Sequence, residues 1–245
     1  MINPMAYQYQ LGNQRGEYRS GAGSAVIAIL GAGLIALGLF GEFSVISAGG
    51  ETSAMLALLV PMAFGGLMIF SWFAYSRRRI QVFEQGFIHI KGSKAETWRW
   101  DEIAFVWQSI TKMSVNFIPV GTRYIYTVQH RNGQKIKLTN GIRKIKELGE
   151  LIQNETFARL MPLAVAAYNN GEALHFGKLS LSQQGISNSK ETVPWGQIKG
   201  VNVSQGYVGI QREGKWLRWA NVPVAGVPNF FIFMALANQI VGVNR

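Results

Sequence analysis

Ser20–Gly41 (SGAGSAVIAILGAGLIALGLFG) and Thr52–Ser76 (TSAMLALLVPMAFGGLMIFSWFAYS) contain no charged residue. At about 1.5 Å of rise per residue, each run is long enough as a helix to cross a hydrocarbon core of about 30 Å. A backbone in that core must bond internally, so both runs are expected to be helical despite their glycines and Pro61. Ser24, Ala28, Ala32 and Ala36 recur every fourth residue and give the first run a narrow ridge of small side chains. Such a ridge lets a second helix approach closely where lipid removes any hydrophobic drive to associate. Trp72 and Tyr75, near the end of the second run, suit the depth of the membrane interface. The expectation is a transmembrane hairpin over 20–76, with helices at about 23–41 and 53–75.

The flanks orient this hairpin. Arg15 and Arg19 precede it, Arg77-Arg78-Arg79 follow it, and the connecting GEFSVISAGGE has two Glu and no Lys or Arg. The positive-inside rule then places both termini in the cytoplasm and makes the chain a multi-pass protein of the cell membrane. Two other readings fail. A signal peptide would begin earlier and would not be followed by a second apolar run. Gly31-x-Gly33-x-x-Ala36, with Glu51 beyond, has the spacing of a dinucleotide-binding fingerprint. That motif needs a half-polar helix and a second strand ending in the acid. Here no polar face follows Ala36, and Glu51 lies in a glycine-rich loop before another uncharged run.

The rest of the chain has a different texture. The 245 residues are 48% hydrophobic and only 15% charged, with a net charge of +11 and no cysteine, which removes disulfide and thiolate chemistry. From Arg77 onward there are 22 Lys and Arg against 10 Asp and Glu. Short alternating runs are separated by turn signals: IQVFEQGFIHI turns about Gln85-Gly86 and YIYTVQHRNGQKIKL at Asn132-Gly133. KLSLSQQGI turns near Gln184-Gly185, and YVGIQREGKWLRW near Glu213-Gly214. Trp100-x-x-Ile103-x-x-Val106 follows the first pair of strands, and Trp195-x-x-Ile198-x-x-Val201 follows the later one. Each half then ends in an apolar helix. The first has a stripe of Ile142, Ile145, Leu148, Leu151 and Ile152, continuing past Pro162 to a stop at Asn170-Gly171; the second is PNFFIFMALANQIV. The repeated tryptophans are expected to be core or to plug a barrel end.

Two hairpin layers, a W-x-x-I signature and a closing helix resemble a pleckstrin-homology-like fold. The wider order, from LGNQRGEYRS through the apolar block to RIQVFEQGF, RWDEIAFVWQ, ELGELIQ and WLRWANVPVAGVPNFFIF, resembles an uncharacterised bacterial family of membrane-anchored proteins carried under a domain-of-unknown-function label. The resemblance implies a fold and a membrane location, and brings no catalytic residues with it. The expected fold class is therefore membrane-anchored: a two-helix transmembrane hairpin, then α+β tandem pleckstrin-homology-like small barrels, each closed by a C-terminal helix. The expected domains are a cytoplasmic N-terminal segment (1–19), the hairpin (20–76), a first unit with its connecting helix (77–170) and a second unit (171–245).

No residue pattern points to an enzyme. His89, His130 and His175 are far apart, and none has a second His, Cys or acid at metal-ligand spacing. Asp101, the only aspartate, stands beside Glu102 and reads as a helix or turn cap. A hydrolase or transferase with a site between the two units, which Asp101→Asn would test, is the least favoured reading. No serine lies in a nucleophile motif, and no phosphate-binding loop is present. No cofactor or metal is expected. Arg77 to Lys146 hold 14 Lys and Arg against 4 acids, and the inner leaflet is anionic. Arg77, Arg78, Arg79, Lys91, Lys94, Arg131, Lys135 and Lys137 are the candidate lipid-headgroup contacts. The aromatics interleaved with them follow core alternation, and a tether restricts access, so nucleic acid is not an expected partner. The expected function is a non-enzymatic membrane-anchored scaffold that docks a protein or peptide. Direct sensing of anionic lipid is the alternative.

Overall fold

The computed structural model describes residues 10–21, 23–49 and 52–241, with the side chains of Gly23, Ser24, Thr52 and Ala54 outside the described set. Glu51 of the fingerprint-like spacing also lies outside the described residues. The chain divides into two compact units, one reaching to Thr97 and including Gly141–Arg143, the other formed by Trp98–Asn140 and the chain from Lys144 onward.

The first unit begins with strand β1 (Gln14–Arg19), followed by helix α1 (Gly23–Ser47) and helix α2 (Thr52–Ser76). Both helices are long and apolar enough to cross a membrane. α1 runs six residues past Gly41 because Phe43, Val45 and Ile46 keep it apolar. The Ser44 and Ser47 hydroxyls donate back to Phe40 O (2.8 Å) and Phe43 O (2.7 Å), so neither is left unbonded.

The face on which the helices meet differs from the alanine ridge. Ala32 and Ala36 are exposed, whereas Gly31 and Gly38 are buried. A Cβ on Gly31 would stand 2.6 Å from Gly65 O, one on Gly65 would stand 2.5 Å from Gly31 O, and one on Gly38 would strike Met62. Glycine permits a closer backbone approach than alanine, so the Gly31–Gly65 crossing selects the face. The same contact disposes of the dinucleotide spacing, since Gly31 lies inside a helix and against another helix. The contacts run in opposite directions along the two helices, so the pair is antiparallel.

Leaving α2, the chain forms β2 (Arg79–Phe83), β3 (Gly86–Lys91) and β4 (Lys94–Arg99). β1 pairs antiparallel with β2, Arg19 opposite Arg79 and Tyr18 opposite Ile80, so the sheet order is β1-β2-β3-β4. The helix pair is thus inserted between two neighbouring strands. The Ser20 N–H donates to Arg78 O at 3.1 Å and carries the pairing to the foot of the helices. Leu11, Phe83 and Ile88 are buried together beside this sheet.

In the second unit, a 3-10 turn at Trp100–Glu102 leads into β5 (Ile103–Val115), β6 (Ile118–His130) and β7 (Lys135–Thr139), an antiparallel three-stranded sheet. Helix α3 (Ile145–Asn169) runs through Pro162 and ends at Asn170, with Gly171 at φ +85. A four-stranded sheet follows, β8 (Leu174–Phe176), β9 (Leu179–Ser182), β10 (Gly185–Ser187) and β11 (Thr192–Pro194). A 3-10 turn at Trp195–Gln197 then leads to β12 (Ile198–Ser204), β13 (Tyr207–Arg212), β14 (Arg218–Pro223) and helix α4 (Phe230–Val241). The small barrels expected from the sequence are instead open sheets. Among the described residues no sheet closes on itself, and the break in pairing falls at the 3-10 turn between β11 and β12.

α3 serves two sheets. Its first turns bury Ile145, Leu148 and Ile152, and Gly149 lets the buried Tyr126 ring of β6 lie where a Cβ would stand. Its later turns place Phe157, Leu160 and Ala164 against the core of Leu179, Leu181, Ile186, Val208 and Ile210, which α4 closes with Phe233 and Leu236. The rings of Phe233 and Phe176 meet edge to face at 5.4 Å. The second unit therefore runs without a break across Asn170-Gly171.

Candidate functional site

Arg77, Arg78, Arg79, Lys91 and Lys94 belong to the first unit. The Arg77 guanidinium lies 3.9 Å from the centre of the Phe73 ring and that of Arg78 4.2 Å from the Tyr75 ring, so the last aromatics of α2 hold both cations at its end. Arg79 opens β2, and Lys91 and Lys94 are exposed on either side of the Gly92 turn, φ +61. Antiparallel register brings Arg78 and Lys91 close, since Arg79 pairs with Ile90 one residue away. Both stand near the buried His89, whose pKa is lowered to about 4. Burial is the main cause; the Lys91 charge and more weakly that of Arg78 add to it, while Glu96 opposes it.

Arg131, Lys135 and Lys137 belong to the second unit. Arg131 lies in the β6–β7 turn, its N–H donating to Glu102 O at 2.8 Å. Lys135 and Lys137 alternate with the buried Ile136 and Leu138 along β7, so they share the outer face of the sheet. Lys135 Nζ lies 5.3 Å from the centre of the Trp107 ring, and Phe105 and Trp107 touch at 5.6 Å. From Ile103 to Lys146 the chain has no Asp or Glu. The whole β5–β7 sheet therefore carries positive charge uncompensated by acids of its own.

The acidic pair of the sequence comes apart in space. Asp101 faces Arg99, with Nε and one terminal nitrogen each 3.2 Å from a carboxylate oxygen, and this hydrogen bonding holds its pKa below the usual range. Glu102 lies 3.1 Å from His130 Nε2. Neither side chain caps the 3-10 turn. The cap expected of them is replaced by two separate side-chain contacts, Asp101 with Arg99 and Glu102 with His130, because these partners lie within reach on either side. His175 Nδ1 lies 2.9 Å from Ser180 Oγ. Among the described residues no three His, Asp or Glu side chains converge in the manner of a metal site.

The second unit carries an apolar groove of its own. A groove of about 240 Å³ runs between α3 and α4 beside β8, lined by Leu160, Leu163, Ala164, Ala167, Leu174, His175, Phe176, Asn229 and Ile232. Its walls are apolar and its one titratable group is His175, an arrangement suited to holding an apolar side chain. Leu163 is 58% exposed on its rim.

Sequence reasoning missed the residue that fixes this groove. Asn229 stands at φ +50 ahead of α4, where its N–H donates to Val106 O at 2.8 Å. Its Oδ1 accepts from Val106 N at 2.9 Å and its Nδ2 donates to Ala104 O at 2.9 Å. The side-chain amide thus imitates a neighbouring strand along β5 and ties the start of α4 to it. Pro228-Asn229 before an apolar run signals a helix start, but nothing local signals a partner 123 residues away. The buried pair Gln153 Nε2 to Gln108 Oε1, 2.9 Å, ties α3 to the same strand.

Compared with protein-family models, the chain matches a family of unknown function, DUF6585, over residues 1–245, and it belongs to that family. No curated protein matches it.

Proposed function

We propose that this member of DUF6585 is a non-enzymatic membrane-anchored scaffold, with two pleckstrin-homology-like units that dock a protein or peptide at the cytoplasmic face. The observation that carries the reading is the insertion of α1 and α2 between the paired strands β1 and β2. The helices turn Ile29, Leu37, Phe40, Val60 and Phe70 outward, each more than half exposed, a jacket that water disfavours and acyl chains accept. Arg15, Arg19 and Arg77–Arg79 on one side, against a connection without Lys or Arg, support a cytoplasmic location for both termini.

The order of elements supports the duplicated fold. β1 to β4, a 3-10 turn opening on Trp100, β5 to β7 and α3 are matched by β8 to β11, a 3-10 turn opening on Trp195, β12 to β14 and α4. In this reading the membrane helices are an insertion in the first repeat. The groove beside β8 supports docking over catalysis, because it offers apolar surface and a single titratable group.

A photo-crosslinking residue at Leu163, on the groove rim, should capture a discrete protein in native membranes, whereas one at the exposed Ser189 should not. Equal yields at both positions would reject the docking site. Orientation is tested separately, because the chain has no native cysteine. A Cys at Ser47 should react with an impermeant maleimide from outside intact cells and a Cys at Ser189 should not; the reverse pattern rejects the topology.

A further inference from the structure

β5 and β6 are each 13 residues long, but β7 pairs with β6 only from Ile125 to Gln129. Beyond Ile110 and Tyr124 no third strand pairs with the two; the Asn140 side chain braces Tyr124 N–H (2.6 Å) and Thr122 O (2.8 Å), and the ribbon then runs on to Ser114 opposite Pro119 and Val115 opposite Ile118 at its end. A two-stranded ribbon is at best marginally stable in water by itself. Its outer part is nevertheless apolar and uncovered: Met113, Val115, Ile118 and Val120 are all exposed, and Phe117 is 100% exposed.

The turn sharpens the point. Asn116 and Phe117 have φ of +47 and +66, the mirror-image turn geometry for which Asn-Gly is the favoured pair. A bulky side chain in the left-handed region is a genuine outlier, and outliers of this kind gather where function requires them. Here an aromatic takes the place that conformation would give to glycine, and it points into open surroundings.

Behind the tip stand two cations. Thr111 pairs with Arg123 and Lys112 with Thr122, so Arg123 and Lys112 project from opposite faces at one level of the ribbon. No acid occurs on the ribbon or anywhere in its sheet.

We propose that this ribbon is a membrane-inserting arm. Its Val115–Val120 tip enters the acyl boundary of an anionic bilayer, and Lys112 and Arg123 bind phosphates at the headgroup level. An acid-free sheet with an apolar end matches an interface that is negative at its surface and apolar beneath. The long cationic side chains can reach back to the headgroups as the tip descends. This inference rests on the membrane reading of α1 and α2, which supplies a bilayer to the same chain.

The full chain in nanodiscs of phosphatidylcholine and phosphatidylglycerol would carry an environment-sensitive fluorophore on one introduced cysteine, at Phe117, at Ser189 or at Leu37 in α1. Phe117→Cys removes a fully exposed side chain and leaves the core untouched. The expected result is a blue-shifted emission at Phe117, quenched by shallow doxyl-labelled lipid and protected from iodide. The Ser189 probe should show neither lipid quenching nor protection, and the Leu37 probe should be quenched by deep doxyl lipid. In discs of phosphatidylcholine alone, lipid quenching at Phe117 should fall severalfold. A quenched Leu37 with an iodide-accessible Phe117 would overturn the arm and leave the membrane reading standing. An unquenched Leu37 would overturn both. Protection of Phe117 without lipid quenching would mean that protein covers the tip, which also overturns the proposal.

Discussion

Acidification should weaken the first unit through one side chain, His89. It is 5% exposed on β3, opposite Ile80, with its Nδ1 3.8 Å from the Glu96 carboxylate, too far for a hydrogen bond. Protonation would place a third positive charge beside Lys91 and Arg78 in a site that offers little water. The folded-state pKa is accordingly about 4, against 6.5 for a free imidazole. The unfolded chain therefore binds the proton more readily between those values. The stability linked to neutral His89 is complete above about pH 6.5, declines as pH falls and is spent below about pH 4. A difference of roughly 2.5 pH units corresponds to about 3 kcal/mol, a large share of what a domain of this size commands. With three histidines in the chain, ring-labelled protein in nanodiscs should give three imidazole signals, and His89→Gln should remove one of them. That signal should still report a neutral ring at pH 5. The same variant should flatten the dependence of unfolding on pH between 6.5 and 4. If the missing signal titrates at 6.5 or higher, burial does not govern this histidine and the reasoning fails.

Two pairs of substitutions probe the other close contacts. Gly31→Ile must push against Gly65 O, so overpacking of about 1–3 kcal/mol should lower the denaturant midpoint of detergent-solubilised protein, read by tryptophan fluorescence. Gly33→Ile, with nothing within 4 Å of its added Cβ, should leave the midpoint in place; equal effects would deny the Gly31–Gly65 crossing. Asn229→Ala loses both side-chain bonds to β5, at about 1 kcal/mol each, and adds about 1–2 kcal/mol for a left-handed alanine. Asn229→Gly loses the bonds alone, so it should unfold at higher denaturant than the alanine variant, and the opposite order would refute this account.

What was legible in the sequence is what local physics decides. An uncharged run of 25 residues, Thr52–Ser76, has few uses other than a helix with apolar surroundings, and α2 keeps those bounds. Gly133 at φ +91 marks a turn that Asn132-Gly133 announces. The unread parts depend on partners distant in the chain. β1 is a six-residue strand, QRGEYR, without alternation, and its register comes from β2 some sixty residues later. The packing face of α1 is ambiguous from spacing alone, because alanines and glycines both recur near helical period; Gly65 on the other helix settles it. The turn at the end of the β5–β6 ribbon is not legible because Asn116-Phe117 lacks the glycine that signals such a turn. The candidate headgroup contacts are single residues, yet the telling feature is collective: the acid-free β5–β7 sheet with its apolar end.

The insertion of α1 and α2 inside a sheet couples two folding problems that each lack a local solution. The register of β1 comes from its pairing with β2, and closing the long segment between β1 and β2 would carry an entropic cost in a flexible chain. An antiparallel helix pair removes much of that cost, because it returns the chain to its starting point with Ser20 and Arg78 in hydrogen-bonding distance. The sheet acts in return on the helices. The two helices pack closely at Gly31 and Gly65, and the β1–β2 ladder fixes their ends so that these glycines meet in register. Further bonds tighten the clasp: Gly21 N to Gly141 O at 2.8 Å and Arg143 N to Arg19 O at 2.8 Å bring a third segment against the base of the pair. Without β1, the backbone of β2 would be left as an unpaired edge immediately beside the two apolar helices, a geometry that invites association with other strands. β1, within the segment 1–19 for which the sequence predicts no strand, is therefore the element that makes helix pair and sheet a single structure.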